Sequence, residues 1–116
     1  MSKLDLTIIR EILMEEEIAL AADMQNEEEK LQQQNEENPD QVDLADQRLH
    51  QEIVVSRLSV KNQRLTQVRA ALKRLDDGKY GICARCGKDI NPERLKVIPS
   101  TTFCVSCQEH FERAHR

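Results

Sequence analysis

RLHQEIVVSRLSVKNQRLTQVRAALKRL, residues 48–75, contains neither proline nor glycine. Leu58, Leu65 and Leu72 stand seven apart, while Leu65, Val68, Leu72 and Leu75 advance by steps of three and four. Such steps put the side chains on one stripe of an α-helix, because 3.6 residues complete a turn. A stripe held in a seven-residue repeat is the seam of a coiled coil. Leu49 and Ile53 are expected to extend that seam toward the preceding turn. The seam needs an apolar partner.

That partner lies upstream. Leu4 to about Glu37 is also free of proline and glycine, and Ile9, Leu13, Leu20, Met24 and Leu31 recur at intervals of four or seven. Ile8, Ile12, Ala19 and Ala22 broaden the stripe at its start, whereas QNEEEKLQQQNEE, residues 25–37, adds only Leu31. Asn38-Pro39 ends this helix, since proline disfavours helical geometry in the residue before it. Asp40 is placed to cap the next one. Two helices of similar length around a short proline turn predict an antiparallel hairpin over residues 1–78, with its tip at 38–46.

Composition agrees with a rod more than with a round core. Of 116 residues 39 % are hydrophobic and 33 % charged, with no Trp, one Tyr and two Phe. The expected class is all-α. The opening MSKLDLTIIREILMEEE has too short and too acidic an apolar run for a signal peptide, and no stretch reaches membrane-spanning length, so a cytoplasmic protein is expected. Residues 1–78 hold 10 Lys/Arg against 17 Asp/Glu, a net of −7, and residues 79–116 hold 7 against 4, a net of +3. The hairpin should repel nucleic acid.

Asp76-Asp77-Gly78 closes the second helix, and residues 79–116 form the second expected domain, a small zinc finger with a short C-terminal helix. YGICARCGKDINPERLKVIPSTTFCVSC, residues 80–107, spaces Cys83, Cys86, Cys104 and Cys107 as C-x2-C-x17-C-x2-C. In a reducing compartment four cysteines so spaced point to metal rather than disulfides. Each close pair chelates through one tight turn, and the long loop brings the pairs together around a tetrahedral ion. One Zn2+ fits best: four thiolates leave no open position, so its role is structural. A redox CxxC, an iron–sulfur cluster and catalytic zinc are the disfavoured alternatives, and His110 or His115 the substitute ligands, more simply read as surface residues. Asn91-Pro92 marks the cap and first turn of a short helix through Arg94-Leu95. With four thiolates and one zinc adding about −2, the basic excess of this tail falls to roughly +1. Tyr80, Phe103 and Phe111 are too scattered to make a base-stacking platform.

Hairpin, acidic tip and four-cysteine finger in this order resemble the DksA/TraR family of bacterial transcription regulators over nearly the whole chain. The finger signature matches at Tyr80-Gly81, Cys83, Cys86-Gly87, Arg94-Leu95, Pro99, Cys104 and Cys107. The tip motif D-x-x-D-x-A matches at Asp40, Asp43 and Ala45, with Pro39 before it. The resemblance implies a non-enzymatic regulator that binds RNA polymerase. Its hairpin would enter the secondary channel, placing Asp40, Asp43 and Ala45 near the active site, while the finger rests on the channel rim through Arg94. Such factors, associated with the stringent response, change promoter complexes without sequence-specific DNA binding, need no membrane, and are expected here to act as monomers.

The bland reading of the tip is that Asp40 is an N-cap and that Asp43 and Asp46 are favourable charges in a helix's first turn. The analogy also has a gap. In DksA-type members guanosine tetraphosphate is bound jointly with polymerase by basic residues near the finger, and the matching positions here are Gln67, Ile98 and Gln108, none basic. The alarmone therefore stands only as a candidate partner, with Arg69, Lys73 or Lys96 as the remaining cations. The N-terminal extension of longer members is also not matched. The alternative of another class is a zinc-ribbon nucleic-acid binder whose coiled coil dimerises it.

Overall fold

The computed structural model describes residues 2–36 and 44–114. It is helical, with α1 over Lys3–Glu36, α2 over Leu44–Asp76, α3 over Pro92–Val97 and α4 over Val105–Ala114. Among the described residues the sole β pairing is an isolated antiparallel bridge, Ile82 to Asp89. Ser2 starts α1 with a reciprocal cap. Asp5 N–H donates to Ser2 Oγ at 3.2 Å and Ser2 N–H donates to Asp5 Oδ2 at 3.3 Å, satisfying backbone donors the first turn leaves free.

Gly78 ends α2. Lys79 N–H donates to Arg74 O at 2.8 Å and Gly78 N–H to Leu75 O at 3.2 Å, with Gly78 at φ 72°. This pair of bonds is the Schellman arrangement, and the residue after the helix must adopt a left-handed conformation that glycine takes without a Cβ penalty.

Packing divides the chain into two compact units: Met1–Glu17 with Thr66–Arg116, and Ile18–Leu65. In the first, α1 and α2 run antiparallel: Arg10 pairs with Asp76 at 2.6 Å and Glu17 with Arg69 at 3.2 Å. Leu13, Val68 and Ala71 are buried there. In the second, Leu20, Val54 and Leu65 are buried, together with a charged residue, Glu27.

The seam differs from expectation at several positions. Leu49 and Ile53 do not extend it: they are 57 % and 41 % exposed, while Val54 is 1 % exposed. Val54, Lys61 and Val68 are spaced by seven and interleave with Leu58, Leu65 and Leu72. Ile53 falls one residue, about 100°, outside that double row. Ile8 and Ile12 likewise leave the helix–helix seam. Both are nearly half exposed and line, with Ile9, Pro92, Leu95 and Pro99, a mainly apolar groove of about 400 Å³ in the first unit. In the finger, Val97 and Ile98 are exposed rather than core, and Ile90 and Leu95 supply its apolar centre.

Candidate metal centre

The first cysteine pair sits on a tight turn. Cys83 N–H donates to Lys88 O at 2.8 Å, Gly87 N–H to Cys83 O at 3.0 Å, and Ile90 N–H to Gly81 O at 2.8 Å. Gly87 takes φ 77°, the left-handed turn that lets the chain double back beneath the sulfurs. The second pair opens α4. Cys104 precedes its first residue and accepts Gln108 N–H at 2.9 Å through its carbonyl, so Cys107 lies in the first turn. The loops are tied directly: Ala84 N–H donates to Thr102 O at 2.8 Å.

These supports bring all four Sγ atoms within 4.8 Å of one another. Cys86 Sγ and Cys104 Sγ are 3.8 Å apart. A tetrahedron with Zn–S bonds of ~2.3 Å has an edge of ~3.8 Å, so the cluster matches one zinc without rearrangement of that pair. The donor set is closed, all sulfur and all protein, which suits a structural ion. His110 is exposed on α4 and is not among the converging groups, and His115 lies outside the described residues.

Local electrostatics favour deprotonation at Cys83 and Cys104 and oppose it at Cys107. Burial tends to raise the Cys83 thiol, but backbone hydrogen bonds with Cys86, Cys104 and Arg85, and one from the Cys86 side chain, bring it down to about 6. Backbone and side-chain hydrogen bonds with Cys107 lower Cys104. Burial pushes Cys107 up to about 11, partly offset by Arg85, whose Nη1 donates to Cys107 Sγ at 3.6 Å. A four-thiolate zinc centre carries about −2, and Arg85 is the cation placed to balance it.

Around the cysteine cluster, Cys83, Ile90, Leu95 and Cys107 form a buried core, with Tyr80, Phe103 and Cys104 packed on it. Tyr80 Oη donates to Pro99 O at 2.7 Å, and Arg74 Nη2 on α2 donates to Ile82 O at 2.8 Å. Asn91 caps α3, its side chain accepting Glu93 N–H at 3.0 Å ahead of Pro92 in the first turn. Arg94, on α3, donates Nε–H to Phe103 O at 3.3 Å, so it braces the strand of chain leading into Cys104. Neither Arg74 nor Arg85 stood out in the sequence, since a lone arginine beside a finger has no periodic signature.

The structure gathers Gln67, Ile98 and Gln108 with Arg94 around one groove of about 520 Å³ in the first unit. Its charged lining is Arg94 against Glu109 and Glu112. Arg69, Lys73 and Lys96 do not line it, and Arg69 is paired with Glu17. Of the tip residues, Asp40 and Asp43 lie outside the described residues, and Ala45 is exposed in the first turn of α2.

Residues 78–113 match the prokaryotic dksA/traR C4-type zinc finger. The RNA polymerase-binding transcription factor DksA of Caulobacter vibrioides is 30 % identical over 86 residues, 74 % of this chain and 61 % of that protein. The factor of the same name from Escherichia coli K12 is 27 % identical over 70 residues, covering 60 % and 46 %. The chain thus spans about three fifths, or less, of the curated relatives it matches. The structure of transcription factor DksA2 from Pseudomonas aeruginosa superposes with a TM-score of 0.82 at 27 % identity, covering 99 % of this chain and 88 % of that one. The DnaK suppressor protein of Agrobacterium tumefaciens C58 gives 0.63 at 28 % identity, covering 94 % and 96 %.

Proposed function

The chain is DksA-like and its finger belongs to the prokaryotic dksA/traR C4-type family, and from this premise we propose that it regulates transcription by binding RNA polymerase through the secondary channel. The observation that carries the reading is the match to DksA2 along 99 % of the chain, helices as well as finger. A finger alone would fit many partners. Two long paired helices ahead of it fit a narrow channel, because each helix is only ~10–12 Å across with its side chains.

In this reading the zinc holds the finger in shape and performs no chemistry. Asp40, Asp43 and Ala45 act at the channel's inner end, and Arg94 supports the rim contact. The factor works as a monomer in the cytoplasm, catalyses nothing itself and reads no DNA sequence. Among the described residues no helix is long and apolar enough to cross a membrane.

The groove around Arg94 offers guanosine tetraphosphate little from this chain alone. A polyphosphate needs several convergent cations, whereas this lining offers one cation, already bonded to Phe103 O, and two carboxylates. The factor is therefore expected to act on polymerase without the alarmone at this site.

The deciding experiment is retention on core RNA polymerase followed by transcription from a ribosomal-type promoter, with and without guanosine tetraphosphate. Retention and an altered transcript yield, equal with and without the nucleotide, are expected. Salt-sensitive retention on DNA or RNA with none on polymerase would favour the nucleic-acid-binding alternative instead.

A further inference from the structure

In the unit formed by Ile18–Leu65 the seam contains a charged layer. Glu27 is 7 % exposed, and its Oε1 lies 3.6 Å from Lys61 Nζ. Its Oε2 is buried with no hydrogen-bond partner. The heptad rows show why Glu27 is inside and why Lys61, its side chain 28 % exposed, is half-buried beside it. Leu13, Leu20 and Glu27 are spaced by seven along α1, and Val54, Lys61 and Val68 are spaced by seven along α2. Each charge occupies a position at which its own row otherwise places a buried aliphatic side chain.

A buried carboxylate with one oxygen unsatisfied is a poor way to hold two helices together. Desolvation of the carboxylate offsets much of its attraction to the half-buried Lys61, and an aliphatic pair of similar volume packs as well or better. What such a layer does supply is discrimination. An apolar seam looks nearly the same after a slip of seven residues, and a polar group at a single core position penalises every pairing that fails to meet it. Here the flanking positions sharpen that penalty. A slip of one heptad in either direction sets Val54 or Val68 against Glu27, leaving the carboxylate buried without a cation. Pairing of α1 with α1, or α2 with α2, in parallel register would set like charges together.

We propose that Glu27 and Lys61 form a register lock, specifying α1 against α2 in one alignment rather than strengthening their association. The lock matters because the rest of the α1 seam specifies little. Arg10 and Glu17 also occupy its rows, their ion pairs lie at the exposed edge, and Leu31 is its last half-buried apolar residue. A slip of seven residues moves one helix along the other by about 10 Å. Any task that depends on where the segment between the helices is held would be lost with the alignment.

The test compares three full-length chains: wild type, the charge-reversed pair Glu27→Lys with Lys61→Glu, and the apolar pair Glu27→Leu with Lys61→Leu. Each carries p-benzoylphenylalanine in place of the exposed Arg57, and photo-cross-links are mapped by mass spectrometry alongside sedimentation and thermal melting. Wild type and the reversed pair should cross-link within the chain at one site on α1. The apolar pair should melt at least as high, yet show cross-links displaced by seven residues or between chains, rising at least about tenfold over wild type. An apolar variant that keeps the single wild-type cross-link would overturn the lock. So would one that melts lower while keeping it, because the pair would then be an ordinary stabilising contact.

Discussion

Arg94 and Tyr80 show how much of the finger is held by single side chains rather than by the metal alone. Arg94 was singled out as a surface contact, yet its Nε–H is directed at Phe103 O, one residue before Cys104. Arg94→Ala is therefore expected to cost the finger about 1 kcal/mol as well as any partner contact. Zinc content by elemental analysis should stay at one per chain, and a fall in content would show that the arginine assembles the site. Tyr80 makes a part-buried bond to Pro99 O, and burial pushes its phenol up to about 12 from an ordinary value near 10. The folded state thus holds the phenolic proton more tightly than the unfolded chain. The contribution is complete below about pH 10 and is lost as pH rises through about 12. Tyr80→Phe lacks both the bond and the ionisation, so its melting temperature should start lower at pH 8 and converge toward wild type between pH 10 and 12. Parallel melting curves across that range would show that Tyr80 is not the titrating group.

At the scale of the helices, Val54 and Ile53 separate what pattern alone can place from what packing decides. Both are aliphatic neighbours, and extension of a leucine repeat toward the turn favours the one that is exposed. Val54→Ala should destabilise by about 2 kcal/mol, because it removes buried methyl groups and leaves a gap, whereas Ile53→Ala should fall within about 0.5 kcal/mol. Chemical denaturation checks both, and equal losses would refute the seam assignment. The leucine row 58, 65, 72 was legible because its side chains are all alike and evenly spaced, although only Leu65 of the three is fully buried. The row 54, 61, 68 was not, because Lys61 interrupts it with a residue that periodicity counts as solvent-facing. On α1 the same thing happens more often: Arg10, Glu17 and Glu27 occupy seam rows, so its apolar stripe looked shorter than its helix. The convergence of the four cysteines was legible, since two C-x2-C pairs, each with its cysteines three residues apart, leave few other chemistries. Their cradle was not: Arg85 reaches Cys107, and Arg74 on α2 reaches Ile82, through contacts that no local spacing announces.

At the scale of the molecule, the metal-held finger and the segment between the helices are open to separate perturbation. The finger has a core of four residues, two of them zinc ligands, so a chelator should unfold residues 79–114 while most of the helical circular dichroism persists. Retention of the finger's slow-exchanging amides after chelation would mean that the metal is dispensable. The complementary change is Asp40→Asn with Asp43→Asn. Asparagine caps a helix as well as aspartate, so the pair removes two negative charges with little loss of helix propensity at the start of α2. The finger, with Arg94 and its zinc ligands, is untouched. If the two carboxylates serve only as caps and first-turn charges, helix content and the effect on transcription should both persist. If they act on polymerase, retention on core enzyme should stay within several-fold while the promoter effect largely disappears, and Ala45→Thr should weaken it in the same way by adding bulk at an exposed first-turn position. A double variant that regulates like wild type would reduce the tip to a turn between helices and leave the channel mechanism without its working residues. Loss of retention itself would instead place the aspartates in binding, and the finger's share of the contact would then have to be measured through Arg94.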